Sequence, residues 1–406
     1  MPSDSPIPSP RGGGSGWGHA RNVVVTGYGV FTAHGHGPEA LRAGVFAGRP
    51  PFAPVTRFDA SRFRARHAAV YEGADAPRDQ RDLLVACGRS ALEMAGVDRP
   101  SALPALAGTP GSYSATNRFW RATVAGEAVD DGDLAHCMPA RLVDDACDEL
   151  GLGRPRIAFV DACVASTNAI VHGCQLIASG AVEAVLCAGS YLVEEEAFAK
   201  FDSGLALSTT GRVRPFSRER SGLLLGDGGA AIVLESGDAA RARGATALAS
   251  VAGWGMAADA HLVVRPHPEG RGLAAAVTAA LRRAGVDGCQ VGYVNAHGTG
   301  TVAGDAAEVI GLRAALGAGA DRVPVSSTKG TTGHMLEATG AVEVIVTLLA
   351  LRDGVLPPTA GLADADLDGA LDHVPNEPRE ADVRFGLSVN SSFGGLNAAV
   401  LLERAP

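Results

Sequence analysis

The sequence predicts an α/β protein in helix–sheet–helix layers, built from two similar halves. Three observations carry this. Segments 184–188 and 230–235 are strands apolar along almost their whole length, so both faces need covering. Strand and helix patterns also alternate twice in the same order. Finally, Ala91-Leu92-Glu93-Met94-Ala95-Gly96-Val97-Asp98 is echoed by Ala280-Leu281-Arg282-Arg283-Ala284-Gly285-Val286-Asp287. In both copies a helix ends at a C-cap glycine and a strand follows. A length of 406 residues suits one large duplicated unit or two domains of roughly 200 residues.

Residues 1–21, rich in Pro, Ser and Gly, read as a disordered leader. Order is expected from a strand at 22–27 that ends in glycine. A helix at 82–94 follows, then a strand at 157–160 and a buried helix at 165–179, apolar nearly all round. Strands at 184–188 and 230–235 complete the first half, 22–240. The second half, 241–406, repeats the order with a helix at 273–283, a strand at 291–294, a buried helix at 338–351 and strands at 385–389 and 398–402. The halves meet near Gly237-Asp238-Ala239-Ala240.

Composition excludes several functions. The formal net charge of -9 offers no basic field for nucleic acid. No apolar run reaches the ~18 residues of a membrane span; the best, 341–351, contains Glu343. The leader lacks the apolar core of a secretion signal. Seven cysteines, an odd number with no C-x-x-C pair, point to the reducing cytoplasm. Only two of the 35 basic Lys and Arg residues are lysines, Lys200 and Lys329. Where arginine is so freely used, a surviving lysine marks a place that arginine does not fit.

Four clusters carry candidate chemistry. In Asp161-Ala162-Cys163-Val164 a cysteine sits between a buried strand and a buried helix, where free amides and the helix dipole favour a thiolate. Taken alone, Cys163 fits an inert core cysteine as well. His297 leaves a strand end into a Gly/Thr loop with Thr299, Thr301 and Asp305, the usual place for an active site in α/β sheets; a structural turn is the other reading. Lys329 and His334 share a third loop, ahead of the helix that carries Glu343. There a surface lysine is the plain alternative. The turn Asn390-Ser391-Ser392-Phe393-Gly394-Gly395 joins two strands and can present a backbone N–H as an oxyanion donor.

In this order, DACVAST, NAHGTGTVAGDAAE, SSTKGTTGHMLEATGAVE and NSSFGGLNA resemble the motif set of the elongating β-ketoacyl synthases of fatty-acid and polyketide assembly, in the thiolase superfamily. VVVTGYGV, FDASRF and RPFSRERSGLLLGDGGA extend the resemblance over about residues 22–404. It implies the thiolase fold, five alternating α-β-α-β-α layers from two duplicated halves. It also implies decarboxylative condensation of an acyl thioester with a malonyl extender. Cys163 would be the acylated nucleophile, with His297 and His334 as the decarboxylation and condensation pair. Lys329 would orient His334 within a charge network that includes Glu343. The amides of Cys163 and Phe393 would form the oxyanion hole, and Phe393 would gate the acyl pocket, with Asp305, Thr299, Thr301 and Asn390 in support. No metal or organic cofactor is implied. The implied partner is an acyl carrier protein, beside a second ketosynthase chain in a homodimer or a heterodimer of chain-length-factor type.

The gate departs from the family's F-G-F-G-G turn, with Ser392 in place of a glycine. Segments 104–129 and 208–211 match poorly. With so acidic a chain, docking of an acidic carrier needs a local basic patch, and Arg78, Arg81, Arg212 and Arg214 are the candidates. Retention of Cys163, His297 and His334 argues against a non-catalytic chain-length-factor subunit. A histidine at the third position argues against the Cys-His-Asn priming synthases. Degradative thiolases would need a cysteine in the C-terminal motifs, and none is there.

Overall fold

The computed structural model describes residues 22–129, 131–364 and 371–405; the expected leader at 1–21 lies outside them. Ten strands organise the molecule. In the first half they are β1 (Val23–Thr32), β2 (Ala105–Gly108), β3 (Arg156–Phe159), β4 (Ala184–Tyr191) and β5 (Gly228–Ser236). The second half has β6 (Ala249–Ala258), β7 (Val291–Asn295), β8 (Pro324–Ser326), β9 (Phe385–Ser391) and β10 (Leu396–Arg404). The longer helices are α1 (Gln80–Ala95), α2 (Tyr113–Ala125), α3 (Pro139–Glu149), α4 (Ala165–Ala178), α5 (Glu195–Ser203), α6 (Arg271–Ala284), α7 (Val302–Leu316) and α8 (Thr339–Asp353).

Strand order shows the duplication directly. From the centre outward the first half reads β1-β5-β4-β2-β3, and the second reads β6-β10-β9-β7-β8. Each strand occupies its counterpart's place, in chain order. The halves join where Val23–Val25 pair antiparallel with Ala249–Val251. Three buried clusters define the layers. Helices α1 and α3 cover the outer face of the first half-sheet, and α6 with the buried side of α7 covers that of the second. Helices α4 and α8 lie between the two half-sheets in the largest core. This is the expected five-layer order. Among the described residues, no helix is long and apolar enough to cross a membrane.

The echoed segments are equivalent in space. Helix α1 stops at Gly96 (φ 62°) and α6 at Gly285 (φ 65°), left-handed positions that glycine adopts without strain. Strand β1 does not end at Gly27 as expected. It bulges between Val25 and Gly27 and runs on to Thr32. Gly27 is there because α1 crosses the strand. A Cβ at Gly27 would strike the Ala91 carbonyl and Ala95, as one at Gly253 would strike the Ala280 carbonyl and Ala284.

The central helices make the contact that positions the site. A Cβ at Gly340, in the first turn of α8, would overlap the Thr167 hydroxyl of α4. Beside it the Ala341 N–H donates to Ser166 Oγ at 3.0 Å. In an exposed helix Gly→Ala stabilises by roughly 1 kcal/mol. Gly340→Ala is expected to do the reverse, losing about 1–3 kcal/mol as the packed helices are forced apart. Urea unfolding of the two proteins checks this, and a more stable variant would show that the helices can yield.

Candidate active site

Cys163 sits in a single 3-10 turn, Ala162–Val164, between β3 and α4. Ala162 before it has φ 55°, a strained value for a residue with a Cβ. The thiol is 5% exposed. Its Sγ lies 2.9 Å from His334 Nε2. His334 Nδ1 lies 3.1 Å from Thr339 Oγ1, which also accepts the Met335 N–H at 3.1 Å. The His297 and His334 rings meet edge to face, their centroids 5.4 Å apart.

His297 is held through its backbone. Its N–H and that of Gly298 donate to the two oxygens of Glu308, at 2.6 and 2.7 Å. Asp305 closes the same loop by accepting from Gly300 N–H at 3.1 Å and Phe216 N–H at 2.7 Å. Thr299 and Thr301 join their hydroxyls at 2.9 Å, and Ser327 Oγ donates to the Gly298 carbonyl at 2.6 Å. The two loops with histidines are therefore tied to each other.

Lys329 begins a short helical turn, Lys329–Thr332, and is wholly buried. The Lys329 ammonium donates to Glu343 Oε1 at 2.6 Å. Asn390 Nδ2 donates to Glu343 Oε2 at 2.7 Å, and Thr167 Oγ1 donates to Asn390 Oδ1 at 2.6 Å. This chain of bonds runs from the histidine loop to the helix behind Cys163. Lys329 is thus bonded to Glu343, while it acts on His334 through its charge.

Burial sets the protonation states. Desolvation, then Lys329, holds His334 well below its usual range; the same two causes, with His334 added, hold His297 low. Both imidazoles are neutral at pH 7. Burial and the Glu337 carboxyl push the Cys163 thiol up to about 12, against the pull of Lys329. The sequence expectation of a thiolate weighed the helix N-terminus and left out this desolvation. With both groups neutral, Sγ and Nε2 share one hydrogen and Nδ1 and Thr339 Oγ1 share another, which satisfies both groups.

The remaining candidates are spread out. Phe393 is half-exposed in the turn before β10, its ring stacked on Phe201 at 5.7 Å. Arg78 is paired with Asp82, and Arg81 with Glu149, along one cleft. Arg212 and Arg214 line a different cleft of about 650 Å³ that reaches Gly330, next to Lys329. Sequence reasoning missed Thr339, Thr167 and Glu337. Thr339 and Thr167 read as ordinary small helix residues. Glu337 had a signal: like Glu343, it interrupts an apolar run.

This arrangement can exchange thioesters at a cysteine and offer two neutral imidazoles to a developing oxyanion. Two family models match the chain, the β-ketoacyl synthase N-terminal domain over residues 20–240 and its C-terminal domain over 248–363. The chain belongs to the β-ketoacyl synthase family. It is 35% identical over 410 residues to 3-oxoacyl-[acyl-carrier-protein] synthase 2 of Vibrio cholerae, covering 95% of this chain and 99% of that one. It is 34% identical over 415 residues to the tetracenomycin polyketide synthase ketoacyl synthase alpha subunit of Streptomyces glaucescens, covering 95% and 97%. Among solved structures, the ishigamide ketosynthase/chain length factor superposes with a TM-score of 0.88 at 32% identity, covering 95% of this chain and 100% of that one.

Two measurements test the site's electrostatics. A thiol raised to about 12 carries little thiolate at pH 7, and its thiolate fraction grows tenfold per pH unit up to that value. Alkylation of Cys163 by iodoacetamide should therefore climb steadily from pH 7 to pH 10. A plateau near pH 7 would restore the resting thiolate. Lys329→Arg should be nearly as inactive as Lys329→Ala, because a planar guanidinium does not fit a buried ammonium site 2.6 Å from Glu343. Condensation rates near wild type in Lys329→Arg would mean that charge alone matters there.

Proposed function

We propose that the chain catalyses decarboxylative Claisen condensation of an acyl thioester, carried on Cys163, with a malonyl thioester. The observation that carries the reading is the 2.9 Å contact between Cys163 Sγ and His334 Nε2, with His297 edge-on to the same imidazole. In the first stage Cys163 sulfur attacks the acyl carbonyl. Its proton passes by way of His334 to the departing carrier thiolate, which leaves as the thiol. In the second stage the malonyl C–CO₂ bond breaks and its electrons form an enolate, whose oxygen accepts hydrogen bonds from the Nε2–H groups of His297 and His334. The enolate carbon attacks the acyl carbon, and the amides of Cys163 and Phe393 receive the oxyanion. Collapse breaks the C–S bond, and a proton from solvent restores the thiol.

His334 accepts through Nε2 in the first stage and donates through it in the second. Thr339 Oγ1 supports both tautomers, accepting from Nδ1–H in one and donating to Nδ1 in the other. Lys329 and Glu343 fix the loop, and burial together with the Lys329 charge keeps the imidazoles neutral. The thioester carrier is an acyl carrier protein, consistent with the name of the Vibrio cholerae relative. Arg212 and Arg214 are its favoured dock, because their cleft leads to Gly330 beside the catalytic lysine. Arg78 and Arg81 pair with Asp82 and Glu149, and Arg214 pairs with Glu219, so the choice between the two clefts rests on position and not on free charge. A second ketosynthase-type chain completes the assembly, as a homodimer or with a chain-length-factor-like partner.

Intact mass spectrometry with acyl- and malonyl-loaded carrier proteins tests the reading. Cys163→Ala should take up no acyl group. His297→Ala should still load while decarboxylation falls by about 10²–10³, the usual cost of one oxyanion donor. Thr339→Val should slow decarboxylation about 10-fold or more, since the wrong tautomer then goes uncorrected. A Cys163→Ala protein that still carries the acyl group would end the proposal.

A further inference from the structure

Glu337 has no role in the mechanism above, yet it lies at its centre. It occupies a 3-10 turn, Leu336–Ala338, three residues after His334. Leu336 holds φ 39°, so the turn is strained. Gly189 of β4 admits it, since a Cβ there would stand 3.0 Å from both Glu337 O and Ala338 Cα. The Glu337 side chain is 6% exposed, and its Oε2 has no hydrogen-bond partner. Nearby, the wholly buried Tyr191 hydroxyl is also unpartnered. After burial itself, Glu337 is the leading influence on three groups: the Cys163 thiol and the hydroxyls of Tyr191 and Tyr113. The Glu337 turn itself packs against the Ala162–Val164 turn of Cys163 and against β4, which Tyr191 ends. Asp161 and Lys200 face it from the β3–α4 turn and from α5.

Buried polar atoms are nearly always satisfied, and unsatisfied ones need an explanation. Here two of them lie on the turn and on the strand that pack about the Cys163 nucleophile, which must receive an acyl chain. A saturated chain there would leave both unpaired. Resting on the ketosynthase reading, we propose that Glu337 and Tyr191 form a polar acyl subsite that selects acyl chains bearing a hydrogen-bonding oxygen close to the thioester. The Glu337 carboxylate accepts from a substrate hydroxyl, and the Tyr191 hydroxyl donates to the same oxygen. Burial, opposed by Lys200 and reinforced by Asp161, brings Glu337 up to about 7, so the accepting form is present at neutral pH.

The test compares loading of octanoyl- and 3-hydroxyoctanoyl-pantetheine onto Cys163, followed as kcat/KM by intact mass. Wild type should favour the hydroxylated chain by roughly 10- to 100-fold, the span set by one unsatisfied buried group. Glu337→Ala and Tyr191→Phe should each collapse that ratio, and Glu337→Ala should load octanoyl faster than wild type. Glu337→Gln, which keeps an accepting oxygen, should retain part of the preference. A merely structural Glu337 would change both rates together and leave the ratio intact. Equal loading of both chains by wild type, or an unchanged ratio in both variants, would overturn the subsite while leaving the nucleophile assignment untouched. Failure of Cys163 to accept either chain would instead sink the ketosynthase reading itself.

Discussion

The molecule depends on how closely α4 and α8 approach. Gly340 presents no side chain, and Thr167 occupies the space it leaves. At that crossing Ala341 N–H is bonded to Ser166 Oγ. Just ahead of α4 is the turn with Cys163, and just ahead of α8 is the loop with His334. A thiol and an imidazole from opposite halves, 171 residues apart, can meet at 2.9 Å only because these two helix starts are pressed together. The glycine is therefore a catalytic requirement expressed as packing.

Such packing leaves the site dry, and dryness fixes its chemistry. An isolated ammonium at the position of Lys329 would be costly, so it arrives with Glu343, and Glu343 with Asn390 and Thr167. Removing one member leaves a charge or dipole unpaired, which costs far more than the pair contributes in net stability. The same burial that demands the pairing keeps both histidines neutral. Neutral imidazoles can donate to an enolate and still accept a thiol proton, whereas imidazolium could only donate. Thr339 gives His334 the freedom to do both.

Much of this was legible in the sequence, for identifiable reasons. Strands β4, β5, β9 and β10 are long and apolar, and α4 and α8 apolar all round, so each was read close to its observed place. Cys163, His297 and His334 stood at strand or helix ends, where topology puts reactive groups, and the scarcity of lysine singled out Lys329. The failures are physical too. Strand β2, Ala105–Gly108, is only four residues long, three of them small, and its burial comes from neighbours. Strand β1 passed through Gly27 because a helix lies on it, which no local pattern reports. The thiolate expectation used a local dipole, while the state of Cys163 is set by the whole surrounding protein. Pairing of Arg78 with Asp82, of Arg81 with Glu149 and of Arg214 with Glu219 likewise depends on the fold.

Duplication explains the division of labour that remains. The strand order of one half repeats in the other, so corresponding strand ends surround one centre from two sides. The end of β3 carries Cys163, and the end of its counterpart β8 leads to Lys329 and His334. After β7 comes His297, and after its counterpart β2 comes α2 with Tyr113; Tyr191 closes β4, while Asn390 lies near the close of β9. The first half thus supplies the nucleophile and the phenols. The second supplies the imidazoles, most of their charge network and, in Glu337, a carboxyl whose turn packs against the Cys163 turn of the first half. A symmetric scaffold has been filled asymmetrically: in the proposed reaction one face holds the acyl group and the other makes the enolate. On that reading, two substrates that must react with each other, and not with water, are held by separate halves that meet at the buried Cys163–His334 contact.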